Sequence, residues 1–190
     1  GTTILRKGLH ESCSCDKEII KHIISTNDWG CRQNGNPDFF CSYRNKPKTN
    51  QNIMNEEKKD FNAMLHNSKD MPKIKTIDKE EVVSRYGGRK MLLAPPIDYD
   101  KVIKRIPHGK LLTIERIRNH LAYQYDADFT CPLTAGVFTG IVAWASHQRT
   151  EDITPYWRVV KNKGELNPKF PGGIEAQKQK LEAEGHSFIS

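Results

Sequence analysis

The residues of this chain best suited to chemistry are its cysteines and one pair of adjacent aromatic rings. A thiolate can act as a nucleophile or as a metal ligand, so clustered cysteines raise both possibilities. Four cysteines fall within the first 41 residues, with His10 and His22 nearby, but their spacing is not that of common zinc sites. The pattern favours reduced, unliganded thiols over a metal site. The five cysteines are Cys13, Cys15, Cys31, Cys41 and Cys131.

The aromatic pair is Tyr156 and Trp157, which follow Pro155 and precede Arg158. Proline fixes its own φ and pushes the preceding residue into an extended conformation, so the backbone of the pair is held stiffly. The next two residues, Val159 and Val160, predict a short strand. A stiff aromatic pair suits a binding or catalytic position, and an ordinary strand entry would have the same pattern.

Composition bounds the class of protein. The chain has 190 residues, 36% hydrophobic residues and a mean hydropathy of -0.69, which predicts one domain with polar flanks. No apolar run approaches the ~18 residues of a membrane span, so no membrane partner is expected. The odd cysteine count and the lack of a signal-like opening favour an intracellular setting, in the cytoplasm, nucleoid or nucleus.

Three segments differ in pattern. Residues 1–52 are rich in turn-forming residues and read as a loosely folded N-terminal segment of unknown role. Residues 53–96 read as a helical lead-in, with helices at 55–66 and 79–86. Residues 97–188 have the most regular pattern and read as the main domain.

The main domain has the element order of a winged helix-turn-helix. Helices are predicted at 98–106, after the N-cap Thr113, and at 134–148, with a polar loop at 126–132 between the last two. A hairpin over 158–166 follows, and a final helix covers 175–184. The predicted fold is therefore mainly α, with a small β-hairpin wing.

Net charge permits a nucleic-acid partner without identifying one. The formal charge is +7, from 30 basic and 23 acidic residues, but residues 97–190 carry only +2, from 13 and 11. A mild excess of this kind is common on solvated surfaces.

Residues 97–186 resemble the C-terminal, DNA-binding domain of the methylated-DNA–protein-cysteine methyltransferases. Each matching piece is short, and the order and the intervals between the pieces make the resemblance specific. The pieces are IPHGK at 106–110 with Thr113, PYWRVV at 155–160, GEL at 164–166, FPGG at 170–173 and LEAEG at 181–185.

The resemblance implies a protein that binds the minor groove, extrudes an alkylated guanine and moves the alkyl group to a cysteine. In that family a histidine relays the proton and a glutamate orients the histidine. Here Tyr156 stands at the cysteine position and Trp157 at the histidine position, whereas Glu184 is retained. Tyrosine, with a reference pKa of about 10, is a much weaker nucleophile than a thiolate. Cys131 has no partner evident in the sequence and is expected to be a buried small side chain.

The chain is therefore similar to the alkyltransferase-like proteins, which lack the acceptor cysteine and bind alkylated DNA without repairing it. It departs from the family in having Ile114 in place of a tyrosine, and Thr139 where the family inserts an arginine. The expected DNA-binding residues are Lys110, Thr113, Thr139, Gln148, Arg158, Lys161 and Lys163, and the expected base-pocket residues are Tyr156, Trp157, Phe170, Gly172, Gly173 and Glu184.

The resemblance implies a monomer that binds double-stranded DNA, plain or alkylated, and hands the lesion to a downstream repair protein. No catalysis at Tyr156, no cofactor and no metal are expected. The alternative is a small-molecule or protein-binding module that reuses the same scaffold. The low charge of residues 97–190 and the missing arginine support that alternative.

Overall fold

The structure is a computed structural model and describes residues 4–5 and 59–189. The predicted N-terminal segment at 1–52 lies almost entirely outside these residues. Its four cysteines and the start of the predicted helix at 55–66 lie outside them as well. The chain divides into two units, one of residues 1–10 and 60–190 and one of residues 11–59.

The described residues alternate between helices and short strands. The helices are α1 (Phe61–His66), α2 (Glu80–Tyr86), α3 (Pro96–Lys104), α4 (Ile114–Gln124), α5 (Pro132–Gln148) and α6 (Gly173–Ala183). The strands are β1 (Ile4–Leu5), β2 (Lys73–Thr76), β3 (Lys90–Leu93), β4 (Leu112–Thr113), β5 (Phe129–Thr130), β6 (Val159–Val160) and β7 (Phe188–Ile189).

The architecture is mixed α/β, with more strand than a mainly α domain would have. The largest sheet has three strands in the order β2-β3-β5, antiparallel between the first pair and parallel between the second. Strand β5 forms inside the predicted polar loop at 126–132, so that prediction was wrong over Phe129 and Thr130. Backbone pairing with Met91 and Leu92 supplies the hydrogen bonds that make this stretch a strand.

The predicted hairpin wing at 158–166 does not form, and a winged helix is not established. Strand β6 pairs in parallel with β4, in the register Leu112↔Val159 and Thr113↔Val160. After β6 the chain turns, closed by a 2.9 Å hydrogen bond from the Lys161 N–H to the Glu165 carbonyl. The Val159 carbonyl accepts a hydrogen bond from the Gln177 side chain at 2.9 Å.

Several helix ends follow the predicted local signals. Thr113 is the N-cap of α4, its hydroxyl accepting from the Arg116 N–H at 3.3 Å. Gly87 ends α2 with a φ of +79°, a left-handed conformation that a β-carbon disfavours. Helix α3 begins earlier than predicted because Pro96 occupies its first turn, where a missing N–H costs nothing.

Helix α5 is the centre of the core. It packs against α1, α3 and α4, and its residues 141–146 are all buried. Phe61 of α1 stacks on Trp144 of α5 at a centroid distance of 5.7 Å. At its N-terminal half, α5 instead exposes Leu133 (69%) and Val137 (54%) to solvent. In the part of the chain that the structure describes, no helix is long and apolar enough to cross a membrane.

Candidate functional site

The predicted aromatic residues meet in one cluster. Tyr156 and Trp157 lie in a single 3-10 turn that continues directly into β6. The Tyr156 ring contacts Trp157 edge-on at 5.4 Å and Phe170 edge-on at 5.5 Å. Tyr156 and Phe170 are each only 2% exposed, whereas Trp157 is partly exposed. The cluster is therefore tightly packed, with Trp157 at its solvent side.

The carboxylate of Glu184 joins this turn to the end of α6. Trp157 Nε1 donates to Glu184 Oε1 at 2.6 Å, and Arg158 Nε lies 3.0 Å from both carboxylate oxygens. The Gly109 N–H donates to Oε2 at 3.1 Å, and an Arg158 terminal nitrogen donates to the Ile106 carbonyl at 2.6 Å. We call this set of contacts the Glu184 clasp.

The clasp is an ion pair largely removed from water. The side chains of Arg158 and Glu184 are 13% and 7% exposed. Burial alone would raise the pKa of Glu184, but the hydrogen bonds from Arg158 and Trp157 outweigh it and lower that pKa below its usual value. Glu184 is thus a carboxylate at neutral pH with its oxygens occupied by donors.

The Tyr156 hydroxyl is poorly placed to act as a nucleophile. Burial raises the pKa of Tyr156 above its ordinary value, so the phenol stays protonated at neutral pH. A cation lies near the ring, since Lys180 Nζ is 5.3 Å from the Tyr156 ring centroid and 4.3 Å from that of Trp157. The pKa of Tyr156 is raised despite this cation. Burial lowers the pKa of Lys180. The geometry is that of a cation resting on two aromatic faces.

The two pocket glycines are required by the chain's own turn. Gly172, with a φ of +72°, is the N-cap residue of α6, and Gly173, the first residue of the helix, has a φ of +68°. A β-carbon on Gly172 would lie 2.5 Å from the β-carbon of Ala176. The positive φ angles of this turn therefore account for both glycines, and contact with a DNA base is not needed to explain them.

Two predicted DNA contacts are contradicted by the structure. Thr139 is 0% exposed and its hydroxyl donates to the Ala135 carbonyl at 2.7 Å, so it cannot reach a ligand at the surface. Arg158 is held by Glu184 and the Ile106 carbonyl, so its guanidinium is not available to a phosphate. Thr139 was predicted from the place of the family's arginine and Arg158 from the predicted hairpin wing, but their side chains are 0% and 13% exposed.

Of the remaining predicted contacts, Lys110 and Lys163 are exposed. Lys161 is half-exposed and lies 3.7 Å from Glu165, a weak surface pair. Lys110 precedes β4, and Lys161 and Lys163 follow β6, so the three lysines flank one pair of adjacent strands. Gln148 is exposed at the end of α5, far along the helix from Leu133, and its side-chain oxygen accepts from the Phe61 N–H at 3.1 Å.

Comparisons with protein-family models, curated proteins and solved structures found no match to this chain. Among residues 59–189, no cluster of three or more histidine, cysteine or acidic side chains has the arrangement of a metal site.

Sequence reasoning missed Gln177, which fixes the backbone of the site. This side chain is 1% exposed and donates to the carbonyls of Trp157 (3.0 Å) and Val159 (2.9 Å). Its oxygen accepts from the Asn167 N–H at 2.8 Å. A glutamine on an amphipathic helix is usually solvated, so nothing in the α6 pattern distinguished this one.

A second missed group holds the residue before Pro155. The Thr154 hydroxyl donates to Asp100 Oδ1 at 2.5 Å and accepts from Arg149 at 3.0 Å. The Thr154 N–H donates to the Ser146 hydroxyl at 2.9 Å. Asp100, 1% exposed on α3, also pairs with Lys104 at 3.0 Å. This buried network anchors the aromatic turn to α3 and α5.

Proposed function

We propose that this chain is a non-catalytic DNA-binding protein, similar to alkyltransferase-like proteins, that binds duplex DNA with or without an alkylated guanine. One observation carries the proposal. Glu184, the glutamate that corresponds to the family's relay in the resemblance, accepts hydrogen bonds from Trp157 and Arg158. Trp157, Arg158 and Glu184 thus contact one another. This arrangement supports a binding surface and does not suit the transfer of a proton.

The absence of alkyl transfer at Tyr156 is part of the proposal. Its phenol is buried and protonated at neutral pH, and no basic side chain is bonded to it among the described residues. Trp157 donates a hydrogen bond and has no nitrogen that accepts a proton, so it cannot relay one as histidine does.

The structure narrows the DNA surface that we propose. With Thr139 and Arg158 excluded, the phosphate contacts fall to Lys110, Lys161 and Lys163 around the β4–β6 pair. The exposed part of α5 offers small and apolar residues, including Gly136, Leu133 and Val137. Apolar side chains wedge between base steps in many minor-groove complexes, so this face fits a groove without an inserted arginine.

The test is a salt series of equilibrium binding to a duplex, with and without one O-alkylated guanine. Three phosphate contacts predict a slope of log K against log salt of about -2.7. Replacing Lys110 and Lys163 together with glutamine should reduce the slope by about 1.8, since each lost phosphate contact removes about 0.9. Lys75→Gln, on the exposed strand β2, is the matched control and should leave the slope unchanged.

An affinity for DNA that ignores salt, or that the lysine pair does not alter, would refute the proposed interface. No measurable binding to either duplex would favour the second candidate, a protein-binding module that reuses the scaffold. The exposed Leu133 and Val137 on α5 support that candidate, because a helix face without charge suits an apolar partner surface.

A further inference from the structure

Lys180 is a cation that lies against the aromatic cluster without an acidic partner. Its Nζ is 4.3 Å from the ring centroid of Trp157 and 5.3 Å from that of Tyr156. The two rings meet at an interplanar angle of 78°, and the ammonium lies over both of them. In the part of the chain that the structure describes, Lys180 forms no ion pair with a carboxylate. Its positive charge is therefore not neutralised by the protein.

Helix α6 offers a direct comparison for this missing ion pair. Lys178 lies 3.9 Å from Glu182, four residues further along the chain, in an ordinary surface pair. Lys180 has Glu184 at the same interval, but both oxygens of that carboxylate are already occupied within the Glu184 clasp. The clasp thus takes the counter-ion that Lys180 would otherwise have, and the ammonium rests on the rings instead.

The aromatic contact leaves Lys180 available to an anion. Burial against the rings lowers the pKa of Lys180, whereas the residue as a whole is exposed on α6. A cation–π contact near the surface is weaker than a charge-assisted hydrogen bond to a phosphate. The flexible four-carbon stem lets the ammonium leave the rings without a movement of the helix. An anion that reaches this position therefore gains a counter-charge and uncovers the indole.

The ring beneath the ammonium is the member of the cluster that solvent reaches. Tyr156 and Phe170 are each 2% exposed and pack edge-on at 5.5 Å, whereas Trp157 is partly exposed. An aromatic side chain can stack on any nucleobase, because every base has a π-face. A ligand that suits both groups has a phosphate for the ammonium and a planar ring for the indole.

We propose that Lys180 and Trp157 form a nucleotide site, in which the ammonium leaves the indole to bind a phosphate and a base stacks on the face that it uncovers. The proposal rests on the function proposed above, with bound DNA supplying the nucleotide. Recognition is by charge and by the π-face, so the site tolerates any base. The same lysine covers the indole while no phosphate is present.

The test is a ligand titration of the full chain, followed by the indole N–H signal of Trp157 in heteronuclear NMR spectra. The loss of that signal in Trp157→Phe assigns it. The probes are adenosine monophosphate, adenosine and inorganic phosphate. One charge-assisted contact predicts that the monophosphate binds about tenfold more tightly than adenosine. Inorganic phosphate should bind more weakly than the monophosphate, because it has no ring to stack.

Two variants separate the charge of Lys180 from the general charge of the helix. Lys180→Met keeps much of the side-chain length and removes the charge, so adenosine monophosphate and adenosine should bind equally. Its melting temperature should be unchanged, because the residue is exposed and forms no ion pair among residues 59–189. Lys178→Met removes one charge from the same helix and is the matched control. It should keep the wild-type preference for the monophosphate.

Equal binding of adenosine monophosphate and adenosine to the wild type would overturn the proposal. A preference that survives in Lys180→Met would overturn it as well, and so would a Trp157 signal that does not shift at millimolar nucleotide. The duplex salt series judges the proposed function separately. Salt-dependent duplex binding beside equal binding of the two probes would leave DNA binding intact and remove the nucleotide site. A preference that depends on Lys180, without duplex binding, would support a site for free nucleotides and refute the DNA function.

Discussion

Replacing Glu184 with glutamine tests whether the Glu184 clasp stabilises the domain through its charge. The substitution keeps the size of the side chain and removes the negative charge. Arg158, 13% exposed, is then left without its counter-ion, while its bond to the Ile106 carbonyl remains. The new amide group also places N–H donors opposite donors of Trp157, Arg158 or Gly109.

The expected loss of stability is large for one substitution. Breaking a buried ion pair by removing one partner costs about 3–5 kcal/mol, and the retained carbonyl contact favours the lower end, about 3 kcal/mol. For a chain of this size that loss corresponds to a melting temperature lower by about 6–12 °C. Glu182→Gln is the matched control. Glu182 lies 3.9 Å from Lys178 on the exposed face of α6, so its loss should cost no more than about 0.5 kcal/mol.

The pH dependence of the difference gives a second, independent check. The pKa of folded Glu184 is below its unfolded value of about 4.3, so its contribution is fully present above that value. That contribution is lost as the pH falls through the folded pKa. The wild type and Glu184→Gln should therefore differ at neutral pH and converge in acid. Urea unfolding followed by tryptophan fluorescence measures both stabilities.

The reasoning would be refuted by either of two results. One is a difference under about 1 kcal/mol at neutral pH, which would mean that the buried charge is not needed. The other is a difference that stays the same in acid. A double variant, Arg158→Met with Glu184→Leu, should lose less stability than the two single variants summed, because it leaves no buried charge unpaired.

Three further predictions concern the Thr154 network and two glycines. Thr154→Val should destabilise the domain by about 1–3 kcal/mol, because it leaves a buried carboxylate and guanidinium short of a partner, whereas Thr150→Val on the surface should be nearly neutral in the same urea titration. Gly172→Ala should destabilise by more than about 1 kcal/mol, through its positive φ and a β-carbon contact of 2.5 Å. Gly136→Ala, in open space on α5, should instead stabilise by about 1 kcal/mol in thermal melts, and a destabilised Gly136→Ala protein would contradict that assignment.

Local signals in the sequence predicted much of the helical structure. Thr113 caps α4 and Gly87 ends α2 because capping depends on one side chain or one backbone angle, which the residue type already decides. The aromatic cluster of Tyr156, Trp157 and Phe170 was also predicted, since the resemblance assigned the three residues to one pocket.

Features that depend on distant partners were not predicted. Strand β5 forms because β3 lies next to it, and β6 pairs with β4 instead of folding back on itself. The face of α5 was ambiguous, because a helix that is apolar on nearly every side has no periodic stripe to mark which residues lie inside. Thr139 was therefore assigned to the surface although it is fully buried.

In the function proposed above, Trp157 stands where the family that the chain resembles has a histidine. An indole keeps the one hydrogen bond that the glutamate needs, since Nε1 donates to Glu184 at 2.6 Å. The indole nitrogen cannot accept a proton, so it cannot relay one. Its contact with Glu184 joins the aromatic turn to the end of α6. Arg158 Nε adds a second and a third contact to the same carboxylate, at 3.0 Å from each oxygen. In the function proposed above, the residues of a former reaction site have become the support of a binding surface.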